Sequence, residues 1–410
     1  MDNIPVITPF FDDEEIKEIQ AALESGWVAQ GPKVEAFERI IAEHEGAGFG
    51  VATTSCTTAL QLAIKALGVG KGHDVIVPAF TFVATANAAV CEGAAPVFAD
   101  VNPRTYNMSP ESLRAVINRY KNRGGALVNP VTGNVLKLII PVHLFGLCAD
   151  MQAINKLAGE YGLAVLEDSA CALGSKIGNM RQGAFGNMSC LSFHPRKSIT
   201  TGEGGMVLTD DANMAEKMRS LRSHGASASG FERHEGVHYG FLLPDFNGHG
   251  YNFRMTDIQA AMGIAQAKKL DYIIKERREK AAYYDLLLKE ITGFKPPLMP
   301  QGYFHAYQSY VCLLDEDKVG AERAPSFRNG VMLALAKRNI STRVGTHALH
   351  NTGYYKKLYA LKPDDFPEAD RCERLSITLP LYVSMSKSQQ ERVIAELDRA
   401  YAELMKSGGE

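Results

Sequence analysis

Between roughly residue 50 and residue 210 the chain alternates two patterns. Short, wholly apolar runs recur at Val75-Ile76-Val77, Pro96-Val97-Phe98, Leu138 to Val142, Leu163 to Leu166, Cys190 to Phe193 and Met206 to Leu208. Between several of them lie longer stretches with helical spacing of apolar positions: Thr57 to Leu67, Pro110 to Tyr120 and Met151 to Tyr161, with Asn213 to His224 after the last. A run that does not alternate apolar with polar predicts a strand buried on both faces. Strands separated by helices predict an α/β fold with helices on both sides of a mainly parallel sheet.

The ends of the chain read differently. Asp12 to Leu23 predicts a helix with acids in its first turn, Ile16, Ile19 and Leu23 on one face and Gly26 as a stop. Asn122 to Val135 is rich in Gly and Asn and predicts an exposed loop or hairpin. Past Leu270 a polar-faced helix, Asp271 to Leu288, leads into mixed α and β with looser spacing. The expected division is a large domain over 1–265 and a smaller α+β domain over 266–410.

Composition narrows the class more than the function. The 410 residues are 46% apolar and 22% charged, with net charge -2. That is enough to bury a large core and leaves no basic excess for nucleic acid. No apolar stretch approaches the roughly 20 residues needed to cross a bilayer, and the first residues do not resemble a signal peptide. Seven scattered cysteines without a Cys-x-x-Cys pair suggest reduced thiols in a cytoplasmic protein.

Three segments carry candidate chemistry. In Ser192 to Gly205 a strand ends at Phe193, a loop bears Lys197, and Gly202, Gly204 and Gly205 turn the chain into the next strand. A lysine just past a buried strand can be reachable yet desolvated enough to be neutral part of the time, as a nucleophile requires; an ordinary surface lysine beside a glycine turn fits the segment equally well. Glu167-Asp168 follows a wholly apolar strand, where ligands of open α/β sheets sit. A carboxylate there could pair with a cationic ring nitrogen, or simply cap a helix. Thr53 to Thr58 opens a helix with hydroxyl residues, as an anion or phosphate site does and as a plain cap does too. Gly46-Ala47-Gly48-Phe49-Gly50 has the wrong spacing for a dinucleotide fingerprint and precedes a strand rather than following one. No histidine pair with metal-ligand spacing occurs, and no metal is expected.

Taken in order, these segments resemble the DegT/DnrJ/EryC1/StrS sugar aminotransferases, a branch of the fold-type-I enzymes that use pyridoxal 5'-phosphate (PLP). The likeness includes Ser25-Gly26-Trp27, Gly31 to Glu38, Ser55 to Leu62, Pro78 to Thr85, Pro141 to Gly146, Glu167-Asp168, the Lys197 loop with Gly202-Glu203-Gly204-Gly205, and Gly250 to Ala260. It implies that Lys197 forms the Schiff base with the cofactor and moves the proton, and that Asp168 pairs with the pyridinium nitrogen. It places Thr57, Thr58 and Ser192 at the cofactor phosphate, Phe82 stacked on the ring and Cys171 beside it. Asn252, at the start of an apolar-faced helix, would reach the phosphate in the neighbouring subunit, so the expected assembly is a homodimer with shared sites. The implied reaction moves an amino group from an amino acid, glutamate or glutamine, to a nucleotide-linked keto sugar in amino-sugar or surface-polysaccharide biosynthesis.

Two departures bear on the sugar. Cys171 stands where many members place His or Gln, and Thr342 to His350, which by position should reach the substrate pocket, lacks the usual Pro-Leu-His pattern. A sugar dehydratase of the same family replaces the Schiff-base lysine by histidine, whereas Lys197 is present. A non-catalytic regulator on this scaffold would be expected to lose Lys197, Asp168 or the phosphate residues.

Overall fold

The computed structural model describes residues 3–183, 185–227 and 245–407. Its centre is a nine-stranded sheet: β1 (Phe49–Thr53), β2 (His73–Pro78), β3 (Ala95–Ala99), β4 (Lys121–Arg123), β5 (Ala126–Val128), β6 (Val135–Ile139), β7 (Ala164–Asp168), β8 (Met188–Ser192) and β9 (Gly205–Thr209). The spatial order is β1-β9-β8-β7-β6-β2-β3, with the β4–β5 hairpin attached to β6. The pairs from β8 to β3 are parallel, and β9 runs antiparallel to both β1 and β8. The predicted mainly parallel sheet is therefore present, with an antiparallel end.

Every residue of β8 and β9 is buried, as strands covered on both faces should be. Alternation along each strand sends neighbours to opposite layers. In β2, Val75 and Val77 join the core with Leu60, Ala63 and Ile64 of the helix Cys56–Ala66. Ile76 between them joins Leu113, Ile117, Ile154 and Leu157 on the other side. The C-terminal ends of the parallel strands open onto one edge, where Asp168 closes β7 and Ser192 closes β8.

The C-terminal part builds a second, antiparallel sheet from Phe294–Lys295, Tyr310–Leu314 and Ser376–Leu379. It returns to the strand ends through His347–Ala348, which pairs with Phe80–Thr81. Among the described residues no helix is long and apolar enough to cross a membrane.

Two expectations change. The N-terminal helix, α1 (Asp13–Glu24), exposes Ile16 by 66% and Leu23 by 54%, and buries Glu15 and Ala22 instead. It packs on the helix Asp257–Lys268, where Lys269 and Gln266 satisfy the Glu15 carboxylate. Ile16 and Leu23 thus point outward while the opposite face makes this ion pair. The segment 122–135 is a hairpin, and it is not wholly solvent-facing. Tyr120, Asn129 and Asn134 donate to the buried Asp74 carboxylate at 2.7, 2.7 and 2.8 Å, anchoring it to the end of β2 opposite the strand-end edge described above.

Candidate active site

The Lys197 loop is held on both sides. Leaving β8, the chain closes with Thr201 N–H on the Phe193 carbonyl at 3.0 Å and Lys197 N–H on the His194 carbonyl at 2.8 Å. From the C-terminal part, the buried Gln308 amide donates to the Arg196 carbonyl at 2.6 Å. The lysine beside this clamp points its Nζ at Cys171 Sγ, 3.2 Å away. A surface lysine on a free turn has no such constraints.

Alternation along β7 separates the two acids. Glu167 faces a closed pocket of donors: His143 Nε2 at 2.8 Å and the N–H groups of Gly183, Phe185 and Gly186. Because Ala149 N–H donates to His143 Nδ1 at 3.0 Å, the imidazole proton is assigned to Nε2. Asp168 faces the other way. It is 5% exposed and accepts from Thr85 Oγ1 at 2.7 Å and Ala170 N–H at 3.2 Å. No helix starts there, so the capping alternative fails. Among the described residues no cation lies within ion-pair distance of it. Burial raises the Asp168 pKa above the usual carboxylate value, and the Thr85 hydroxyl, the Ala170 N–H and the nearby Lys197 oppose that rise.

Lys197 departs from the expectation of a depressed pKa. Burial pulls it down, but Cys171, Cys56 and Asp168 around it more than compensate, and it is held above the ordinary lysine value.

Helix α3 (Cys56–Ala66; the chain's third, after Asp13–Glu24 and Pro32–Glu45) starts against the same cluster. Its cap is a reciprocal pair: Ser55 Oγ accepts from Thr58 N–H at 3.2 Å, and Thr58 Oγ1 accepts from Ser55 N–H at 3.0 Å. Ser55 and Thr58 tie the turn while the other first-turn N–H groups lack intrahelical partners, the arrangement an anion site would need. Thr58's hydroxyl is engaged by the cap. Close approach is made possible by Gly205, paired with Ser192 across β8 and β9. A Cβ on Gly205 would lie 2.4 Å from the Ser55 carbonyl atoms. Ser192, Gly205 and the start of α3 form one cradle.

Phe82 follows the strand Phe80–Thr81 and is 60% exposed. It lines a cavity of about 370 Å³ together with Cys171, Lys197, Arg196, Gln308 and Arg343. Val344, Gly345, Thr346 and His347 also line it, so the Thr342–His350 segment reaches the pocket as expected. Asn252 does not join this cluster. Its side chain is exposed, and its backbone forms a bridge with Ser223. It also does not stand at a helix start: the helix begins at Asp257, with Thr256 and Gln259 as its capping box. Within one chain, Lys197, Asp168, Cys171 and Phe82 come together beside the cradle of Thr57, Thr58 and Ser192, and Asn252 stays apart.

Sequence reading missed Thr85, Gln308, Arg196 and Arg343. Nothing local marks Thr85 or Gln308, because their partners lie 83 and 112 residues away. Arg196 could have been noticed as a second cation beside Lys197.

These residues fit PLP. A buried carboxylate with hydroxyl and N–H donors, and no cation within ion-pair distance among the described residues, suits a protonated ring nitrogen. A helix start opened by Gly205 suits a phosphate. A clamped lysine lies beside both. The fold and site define a fold-type-I PLP-dependent aminotransferase.

Comparison with known proteins agrees. Residues 9–398 match the DegT/DnrJ/EryC1/StrS aminotransferase family, and the chain belongs to it. It is 38% identical over 392 residues to the spore coat polysaccharide biosynthesis protein SpsC of Bacillus subtilis, covering 95% of each chain. It superposes with TM-score 0.87 on the PMP-form of the putative sugar aminotransferase Spr1654 of Streptococcus pneumoniae, at 26% identity over 98% of this chain and 100% of that one. It superposes with TM-score 0.84 on Helicobacter pylori PseC, an aminotransferase involved in the biosynthesis of pseudoaminic acid, at 25% identity over 98% and 100%.

Proposed function

We propose that this aminotransferase takes an amino group from an amino acid, glutamate, and delivers it to a nucleotide-linked keto sugar destined for a surface polysaccharide. The observation that carries the residue roles is Lys197 Nζ held 3.2 Å from Cys171 beside the buried Asp168, which accepts from Thr85. When bound, PLP supplies an electron sink for the electrons released at the substrate carbon. Asp168, as carboxylate, holds the proton on the ring nitrogen. Lys197 Nζ, in its neutral form, would take the proton from the substrate carbon and deliver it to the cofactor carbon joined to the substrate nitrogen. Thr57, Thr58 and Ser192 bind the phosphate, with Gly205 permitting the approach. Phe82 covers the ring and excludes water, and Cys171 Sγ accepts from Lys197 Nζ at 3.2 Å. The sugar acceptor is supported by the relatives above, which include a sugar aminotransferase and a polysaccharide biosynthesis protein. The same proposal includes a division into 1–265 and 266–410 and a cytoplasmic homodimer in which Asn252 serves the partner's phosphate site. The outward face of α1, with Ile16 and Leu23 exposed, is compatible with that assembly.

The test is spectroscopic. Purified protein with PLP should be yellow, should lose the visible band with L-glutamate, and should regain it with a nucleotide-linked keto sugar. Lys197→Ala should fold and bind cofactor but show neither change. Wild-type rates in that variant would remove Lys197 from its role. A wild-type protein that bleaches with glutamate yet recovers only with small keto acids would remove the sugar.

A further inference from the structure

The charge lining the cavity is one-sided. Its ionisable residues other than Cys171 are Arg196, Lys197, Arg343 and His347, and no carboxylate is among its lining residues. His347 lies 3.9 Å from Glu373. Arg196 and Arg343 have no such partner among the described residues, whereas Arg222, Arg338 and Arg371 do. They are close enough to feel each other: burial lowers the Arg343 pKa, and the Arg196 charge lowers it further.

Both arginines are held in place by backbone. Arg196 is adjacent to Lys197, and its carbonyl is clamped by Gln308. Arg343 N–H donates to the Thr378 carbonyl at 3.4 Å, and Thr378 N–H donates back at 2.6 Å, so the residue is tied to the edge of the C-terminal sheet. Two guanidiniums from distant parts of the chain therefore meet at one cavity beside the amine that does the chemistry. Like charges brought together without an acid between them raise the local potential for an anion, and guanidinium matches a planar or tetrahedral oxyanion with paired donors.

We infer that Arg196 and Arg343 form an oxyanion site at the mouth of the Lys197 cavity that holds a carboxylate or phosphate of the substrate while its reacting carbon faces Lys197. This rests on the aminotransferase reading above and adds residues to it. The two sources of oxyanion are the carboxylate of the amino donor and the diphosphate of a nucleotide-linked acceptor. They enter in separate half-reactions, so one site can serve each in turn.

The experiment uses the holoenzyme and two unreactive probes, glutarate and inorganic pyrophosphate, titrated calorimetrically against wild type, Arg343→Gln, Arg343→Lys and Arg196→Gln. Retention of the cofactor's visible absorbance in each variant reports an intact PLP site. Loss of a charge-assisted pair should weaken probe binding about tenfold to a hundredfold, with Arg343→Lys intermediate because lysine keeps charge but not the paired donors. The KM for L-glutamate should rise by a similar factor if the carboxylate is held there, with kcat less affected. Weakening of glutarate alone assigns the donor carboxylate, of pyrophosphate alone the acceptor phosphate, and of both a shared site. Unchanged affinity for both probes in both Gln variants, or no measurable binding of either probe by wild type, overturns the inference. A wild-type protein that takes up no PLP, or takes it up without reacting with glutamate, instead overturns the functional reading.

Discussion

Replacing Thr85 by valine should act through Asp168 and should do so with a defined pH dependence. The two side chains are buried, and the Thr85 hydroxyl donates to Asp168 Oδ2 at 2.7 Å. Valine keeps the branched shape and removes the donor. A hydrogen bond to a charged group contributes about 1.5–3 kcal/mol, so its loss should raise the Asp168 pKa further. That adds to a value already raised, by burial first. An acid whose pKa is higher in the folded state holds its proton more tightly there than in the unfolded chain. Stability then falls as pH climbs from the unfolded value near 3.9 towards the folded value, and stays reduced above it. The Thr85→Val deficit in the cofactor-free protein should therefore be small at the acid end and reach about 1.5–3 kcal/mol in neutral to alkaline buffer. Urea denaturation of wild type, Thr85→Val and Thr85→Ser at intervals from acid to alkaline pH would measure it, with Thr85→Ser recovering most of the loss because it keeps the hydroxyl. A deficit of equal size at all pH values would refute the reasoning and assign Thr85 a packing role only.

Asp168→Asn should fold, since no helix depends on it as a cap, and should lose turnover by orders of magnitude because an amide does not keep the ring nitrogen protonated; steady-state rates near wild type would contradict this. Gly205→Ala introduces a Cβ 2.4 Å from the Ser55 carbonyl atoms, so α3 must shift. Overpacking of that kind costs about 1–3 kcal/mol, and equilibrium dialysis should show weaker PLP retention; unchanged retention would dissociate the cradle from the phosphate. Mixing inactive Lys197→Ala and Asn252→Ala subunits should restore part of the activity, because a mixed dimer would place both defects in one site and leave the other whole. Failure to recover activity after proven subunit exchange would place Asn252 outside the partner's site.

The legible parts of this protein were those written in local pattern. Apolar runs such as Val75-Ile76-Val77 and Cys190 to Phe193 became buried strands because their burial on both faces leaves no room for polar alternation. The Lys197 loop and Asp168 were visible because chemistry at strand ends follows from strand direction and sequence order. Helix boundaries moved by a residue or a few, as at Pro110–Ile117, where Asn118 ends a helix that the pattern carried to Tyr120.

What failed was decided between distant segments. The apolar face of α1 is legible as a face, but that Ile16 and Leu23 lie exposed while Glu15 meets Lys269 and Gln266 is set by a segment about 250 residues away. Asn252 looked like a helix start until Thr256 and Gln259 took the cap four residues later. By itself the sequence determined the alternation of strand and helix and singled out the two groups, Lys197 and Asp168, proposed to carry the chemistry, because both depend on side-chain type and local order. Only the tertiary structure decided which neighbours tune them. Thr85 on Asp168, Gln308 behind Arg196, and Arg343 across the cavity are contacts between segments far apart in the chain, and a one-dimensional pattern contains no distance between them.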